Sequence, residues 1–473
     1  MRNRVIYRYI GNVILVYSFL FIFPIIVCLI YKESFLAYIL TMAISLVIGI
    51  LLKIIKPNKR GIHAKDGFII VAISWIIIAI LSAIPFVLKQ DVNFVDALFE
   101  SISGLTTTGA TIFRDVEELE RNVLFWRSFM HFIGGMGVLT FMMTIVPLAK
   151  DEKSMHLLKA EMPGPSVAKL VPSIKKTMFY LYGIYFLLSI SEYILLILGK
   201  MNPFDAILIT MGTAGTGGFS LLNSSLATYS IFNKCVVTIF MILFGVNFNI
   251  YFLILMKDFK NIIKSEELRT YLIIYFVAVI CVVLNTYQLY NSINEAIISG
   301  AFHVSSLITS TGYSIGNINI YPSFSRIICL ILMFISACAG STCGGIKVSR
   351  LVILYKTIKR DLLKVIHPNS VCTITFDGKK LDDEICKTNN TFIFLYVILI
   401  LTIMLIVSFD GISIEETLNS VLSTFANVGL CFEISNFANF SYISKIALSI
   451  GMLLGRLEIF PIIVLFTDWK KNI

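Results

Sequence analysis

Apolar runs of about 20 residues recur along the whole sequence, and this recurrence leaves few folds open. At 1.5 Å of rise per residue, a helix of about 20 residues spans about 30 Å, the thickness of a bilayer's hydrocarbon core. With 57% hydrophobic and 14% charged residues, the chain has too little polar surface to enclose that much apolar surface in water. The runs are continuous rather than alternating, which excludes a transmembrane β-barrel. The sequence therefore predicts an all-α integral membrane protein with ten crossings, near 10–31, 35–55, 67–88, 123–147, 177–198, 230–256, 270–290, 324–355 (interrupted), 391–410 and 443–467. The first run follows Arg2, Arg4 and Arg8, as in a signal peptide, but it is longer than one and no small-residue cleavage site follows, so it reads as a retained span.

The formal net charge is +10, and the location of the basic residues is more informative than their number. Of the 39 Lys and Arg residues, 29 fall in the segments 1–9, 53–67, 150–177, 257–270, 347–390 and 468–473. These are alternate loops, so the positive-inside rule assigns them, and both termini, to the cytoplasm. Charge arranged this way marks membrane topology, and lipid rather than nucleic acid is the expected partner. The nine cysteines form no CxxC pair and read as small buried hydrophobes. No metal-ligand cluster and no nucleophile paired with a base stands out, so an enzyme is not expected.

Between the third and fourth, fifth and sixth, seventh and eighth, and ninth and tenth crossings lies a shorter segment that is too short to cross. The four read FVDALFESISGLTTTGAT (94–111), PFDAILITMGTAGTGGFS (203–220), EAIISGAFHVSSLITSTGYS (295–314) and IEETLNSVLSTFANVGLC (414–431). Each predicts a short amphipathic helix before a turn centred on Gly109, Gly217, Gly312 or Gly429, and the intervals of 108, 95 and 117 residues define a fourfold internal repeat. The chain divides accordingly into two additional N-terminal spans (1–60) and pore repeats over 61–150, 151–260, 261–365 and 366–473, the last preceded by a cytoplasmic hairpin. Non-helical backbone at membrane depth must be buried in protein or line water, so these segments read as four re-entrant loops that meet on a common axis.

A dehydrated potassium ion needs a cage of oxygen dipoles without fixed counter-charge, which the backbone carbonyls of extended loops supply. Glycine keeps side chains off the axis and permits the backbone conformations that turn carbonyls inward. Aligned on the central glycines, the candidate potassium-binding residues are Thr107, Thr108 and Gly109; Gly215, Thr216 and Gly217; Ser310, Thr311 and Gly312; and Asn427, Val428 and Gly429. The hydroxyls add oxygens to the cage or tie each loop to its scaffold.

The four loops, together with WRSFMHFIGGMG (126–137), AGSTCGGIK (339–347) and GRLEIF (455–460), resemble the TrkH-type potassium uptake subunits, in the superfamily that also holds the Ktr and plant HKT transporters. The resemblance covers essentially the full length, and the two spans ahead of the first repeat resemble TrkH more than the shorter Ktr subunit. It implies a pseudo-tetrameric pore within one chain, a homodimer, a bacterial inner-membrane location and a cytosolic TrkA-type nucleotide-binding ring that controls a gate. The fourth loop departs from the family by Leu430, where proline is frequent, and the second by Gly215, where Ser or Thr is frequent.

The eighth crossing reaches only from about Ser325 to Cys338 before a Gly-rich run, and about 14 helical residues rise only about 21 Å. Irregular backbone at that depth is expected to line the pore, and the resemblance implies that it is an intramembrane gate, with Gly340, Ser341, Thr342, Gly344 and Gly345 as its residues. Arg456, expected near the middle of the tenth crossing, is costly facing lipid and should face the pore, bridge helices, or meet a carboxylate such as Glu458 from a neighbouring element. In the family an arginine of this motif lies below the filter and raises a barrier to cations. Arg127, near the outer end of its span, reads as an ion-pair former. His131 and His303 read as packing donors or as proton-coupling groups, and the acidic stretch 114–121 as a cation-concentrating mouth or a solvated face. The segment 371–378 reads as a β-hairpin, a docking place for a regulator or a plain connector. A sodium- or proton-coupled alternating-access transporter is the competing mode, since broken helices with a midplane site also serve that mechanism.

Overall fold

The computed structural model describes residues 4–55, 64–145, 174–368, 372–434 and 436–466. The domain boundaries at 60 and 150, most of the basic loops 53–67 and 150–177, and the basic end 468–473 therefore lie outside the described residues. Helices α1 (Arg4–Leu20) and α2 (Ile22–Tyr31) form one apolar stretch of 28 residues, and α3 (Leu36–Ile54) returns beside it.

Four units of one plan follow. The first is α4 (Ala64–Gln90), the short α5 (Phe94–Leu105) and α6 (Arg121–Ile145); the second is α7 (Ile174–Leu198), the short α8 (Pro203–Gly215), and α9 (Ile231–Gly245) with α10 (Phe248–Leu255). After a connector, α11 (Phe259–Lys264), the third is α12 (Glu266–Thr286), the short α13 (Ile293–Ile308), and α14 (Ser323–Phe334) with α15 (Val348–Ile366). The fourth is α16 (Asp383–Val407), the short α17 (Ile414–Phe425), and α18 (Tyr442–Arg456) with α19 (Phe460–Phe466). Ahead of α16, β1 (Thr375–Phe376) and β2 (Lys379–Lys380) pair antiparallel through a left-handed turn at Asp377 and Gly378, the hairpin that the sequence predicts but with strands of two residues. Among the described residues, six helices are long and apolar enough to cross a membrane, or seven if the bent pair α9 and α10 counts as one span.

The short helices begin alike because their sequences cap alike. Asn93, Asn202, Ser292 and Ser413 each accept a hydrogen bond from a first-turn backbone N–H, which satisfies one of the helix's free donors. Three residues after each cap stands Asp96, Asp205, Glu295 or Glu416, an acidic side chain at the positive end of the helix dipole.

Three expected crossings are not continuous helices. The sixth, read as 230–256, bends by 90° between α9 and α10. The bend frees a carbonyl and an N–H, and the irregular segment after α14 uses both: Cys338 N donates to Gly245 O at 3.1 Å, and Phe248 N to Gly340 O at 3.2 Å. The eighth breaks earlier than expected. Helix α14 stops at Phe334 and α15 starts at Val348, so the loop is 335–347 rather than the Gly-rich run alone. It is closed at its base, where Ser336 N donates to Ile346 O at 2.9 Å and Val348 N to Ala337 O at 3.1 Å. The tenth breaks between α18 and α19, where Glu458 and Ile459 both have φ near +60°. Such backbone is strained for a β-branched residue.

Candidate functional site

The four short helices end in one local structure. The N–H groups of Thr108, Gly217, Thr311 and Val428 each donate at 2.8 Å to the carbonyls of Ser103, Gly212, Ser306 and Ser423, five residues back. This closure requires a left-handed residue just before it, and Thr107, Thr216, Ser310 and Asn427 hold φ between +51° and +56°. Glycine is usual there. All four residues instead carry a side-chain oxygen, so this strained position retains polar chemistry where glycine would be more comfortable.

Two residues later, Gly109, Gly218, Gly312 and Gly429 have φ of +84°, +73°, +82° and +77°. A Cβ on Gly109 would stand 2.0 Å from Gly217 O, one on Gly218 2.0 Å from Thr311 O, one on Gly312 2.0 Å from Val428 O, and one on Gly429 2.1 Å from Thr108 O. Each loop thus abuts the central carbonyl of the next, and the fourth abuts the first, so the contacts close a ring. The seven ring residues other than the glycines, Thr107, Thr108, Thr216, Ser310, Thr311, Asn427 and Val428, are buried with exposures of 1% or less.

The ring corrects the register of the second loop. By φ pattern and hydrogen bonding, the counterparts of Thr107, Thr108 and Gly109 are Thr216, Gly217 and Gly218, not Gly215, Thr216 and Gly217. Gly215 is the last residue of α8 and packs on α6, where a Cβ would lie 2.3 Å from His131 O. The pattern that finds this register is Gly, any residue, then Ser, Thr or Cys: 109–111, 218–220, 312–314 and 429–431.

Behind the ring, Glu100 on α5 is fully buried and accepts from Arg127 Nε at 2.8 Å and from Ile112 N at 2.9 Å. Arg127 lies 4.0 Å from the Phe219 ring centroid, so the pair braces loops one and two together. His303 holds the matching place in the third repeat. Its Nε2 accepts from Ile315 N at 3.3 Å, and its Nδ1 is 2.7 Å from Tyr321 Oη, the geometry of a packing donor. His131 stacks on Phe219 at 4.3 Å, and neither ring nitrogen has a hydrogen-bond partner among the described residues. In the acidic stretch 114–121, Asp115 is held below the usual carboxylate range by its hydrogen bond from Asn223.

The loop 335–347 presses on one end of the ring. Thr216 Oγ1 donates to Thr342 O at 3.0 Å, Gly344 N donates to Ser310 Oγ at 2.9 Å, and a Cβ on Gly344 would stand 2.6 Å from Asn427 Cβ. The positive φ of Gly340 and Gly345, +71° and +69°, explains glycine at those two places. Ser341 Oγ donates back to Cys338 O at 2.6 Å.

Arg456 ends α18 and is 5% exposed. It does not meet Glu458: Nη1 donates to Thr342 O at 2.6 Å and Nη2 to Gly134 O at 3.0 Å. The break after α18 turns Glu458 the other way, onto Arg350 at 2.6 Å. A second buried cation, Lys347, donates to the carbonyls of Cys343 and, at 3.0 Å, Gly344. Its role was not legible in the sequence beyond its place in 339–347. Two cationic side chains thus bind three successive carbonyls of one loop beside a ring of carbonyls.

A helical membrane protein whose buried centre is a closed ring of main-chain carbonyls has the form of a cation transport protein. The chain belongs to the TrkH family of cation transport proteins, whose family model matches residues 34–471. It is 33% identical over the full length of both chains to the Trk system potassium uptake protein TrkH of Escherichia coli K12, and 32% identical to TrkG of the same organism over 99% of both. The crystal structure of the potassium transporter TrkH from Vibrio parahaemolyticus superposes with a TM-score of 0.90 at 28% identity, over 99% of this chain and 100% of that one.

Proposed function

We propose that the chain takes up potassium through a gated pore in a bacterial inner membrane, crossing ten times with both termini inside. The observation that carries this reading is the closed ring of four glycine-to-carbonyl approaches, 109 to 217, 218 to 311, 312 to 428 and 429 to 108. Such a ring offers oxygen dipoles of fixed spacing and no carboxylate, which suits a monovalent ion that must leave again. The four short helices end beside it, so the negative ends of their dipoles add to the attraction. The names of the relatives support potassium as the cargo.

In this reading Thr107, Thr108, Gly109, Thr216, Gly217, Gly218, Ser310, Thr311, Gly312, Asn427, Val428 and Gly429 form the filter. Gly340, Ser341, Thr342, Gly344 and Gly345, with Arg456 and Lys347, form the closed gate beneath it. The protein works as a homodimer, and a cytosolic TrkA-type nucleotide-binding ring opens the gate.

Planar-bilayer recording of the purified protein tests the reading. Discrete unitary potassium currents, larger than those in sodium, are expected. Uptake that proceeds at transporter rates without unitary currents, and that requires a sodium or proton gradient, would replace the pore by alternating access.

A further inference from the structure

The hairpin β1–β2 and the loop 335–347 are joined through the first two residues of α12. Asp377, in the hairpin turn, accepts a hydrogen bond from Glu266 N at 2.7 Å. Lys356 on α15 pairs with the Glu266 carboxylate and donates to Thr375 O at 2.6 Å, so hairpin, α12 and α15 are tied at one corner. The next residue, Glu267, turns inward and is 3% exposed. Its Oε1 accepts from Ala339 N at 2.6 Å and from Ser349 N at 3.3 Å, while Oε2 receives Asn247 Nδ2 at 3.4 Å.

One carboxylate therefore ties Ala339 of the loop to Ser349 in the first turn of α15 and to Asn247 at the corner of the α9–α10 bend. Within the span it holds lies Thr342, whose carbonyl takes Thr216 of the ring and Arg456. The loop is anchored by side chains and scattered backbone bonds rather than by a helix or sheet ladder, so removal of one strong anchor frees it locally. Hydrogen bonds to a charged acceptor are the stronger kind.

We propose that Glu267 is the latch that keeps the loop under the ring, and that the hairpin turn at Asp377 is where a cytosolic protein acts on it. Displacement of the turn moves the α12 N-terminus, and Glu267 then leaves Ala339 N and Ser349 N. The proposal rests on the reading of the loop as the gate and of the hairpin as cytoplasmic.

Cys343, 3% exposed within the loop, supplies a readout independent of flux. In full-length protein in liposomes, with the other eight cysteines replaced by serine or alanine, the rate of Cys343 modification by a small cationic methanethiosulfonate is measured beside rubidium uptake, without any partner. Glu267→Gln keeps the shape and loses the charge, and is expected to raise the modification rate at least about tenfold, the size of one lost charged hydrogen bond. Asp377→Ala, at the surface, is expected to raise it by a smaller factor, and neither variant alters the potassium-to-sodium ratio. Unchanged Cys343 protection in both variants overturns the latch, whatever the flux. Faster modification with unchanged rubidium uptake upholds the latch and instead removes the loop as the gate. If Glu267→Gln does not fold, Glu267→Asp, which keeps the charge but withdraws the acceptor by one methylene, together with Asp377→Ala decides in the same way.

Discussion

Gly109 and the carbonyl of Gly217 approach so closely that a Cβ on Gly109 would stand 2.0 Å from that oxygen, at a φ of +84°. No rotamer relieves such a clash, because the offending atom is backbone and the Cβ position is fixed. Ser at Gly109 must push the second loop's carbonyl out of the ring. The same holds for Gly218 against Thr311 O at 2.0 Å. Gly109→Ser and Gly218→Ser are each expected to lower the preference for potassium over sodium about tenfold, which requires only about 1.4 kcal/mol. Bi-ionic reversal potentials measure it. A shift for Gly109 alone would break the equivalence of the two positions.

The Glu100–Arg127 pair is buried on both sides, with side-chain exposures of 0% and 2%. Removal of one member of such a pair strands the other charge and costs about 3–5 kcal/mol. Glu100→Ala is expected to lower the thermal midpoint of the detergent-solubilised protein and to loosen the first loop, since Ile112 N and Thr111 Oγ1 also lose their acceptor. The double replacement Glu100→Leu with Arg127→Met is expected to recover part of the midpoint but not the ion preference. Equal midpoints for wild type and Glu100→Ala would show that the pair is dispensable.

In the third repeat, an imidazole does what a carboxylate does in the first. His303→Phe leaves Ile315 N without an acceptor, at a cost of about 1–3 kcal/mol. His303→Gln restores a nearby acceptor and is expected to retain wild-type stability and flux. If instead His303→Gln abolishes uptake while the protein remains folded, His303 carries a proton in transport rather than a packing bond.

The short helix of each repeat is legible in the sequence because apolar runs and turns are local, whereas the breaks in the sixth and tenth crossings are not. The short amphipathic segments mark the helices, and Gly109, Gly312 and Gly429 mark three of the four turns. The second turn lies one residue later than alignment on Gly217 places it: Gly215, Gly217 and Gly218 stand close together, and the left-handed φ of Thr216 and Gly218, with the pattern Gly218-Phe219-Ser220, separates them. The bend after Gly245 was invisible because the groups that stabilise it come from Cys338 and Gly340, far along the chain. Of the alternatives open for Arg456 in the sequence, a pairing with Glu458 is the one the structure does not take, because the left-handed Glu458 and Ile459 turn that carboxylate onto Arg350.

Arg456 gives the sharpest test of the proposed gate. Its guanidinium is bound only to main-chain carbonyls, those of Thr342 and Gly134, and among the described residues no carboxylate lies within ion-pair distance of it. Its charge is therefore not cancelled by a neighbour, and it fastens the loop to α6. In the proposed reading, both effects oppose a cation leaving the ring inward. At an effective dielectric of about 20, unit charges about 10 Å apart repel by about 1.7 kcal/mol, more than tenfold in rate. Arg456→Ala removes the repulsion and the tether, and is expected to raise rubidium uptake into liposomes at least about tenfold without any partner. Arg456→Gln, which keeps donors for Thr342 O and loses the charge, is expected to fall between. Neither variant touches the four ring glycines, so the potassium-to-sodium ratio is expected to stay at its wild-type value. If Arg456→Ala inserts normally and conducts less than wild type, the arginine is scaffolding for α6 and α18, and the barrier to the ion lies elsewhere, with Lys347 the next buried cation to replace.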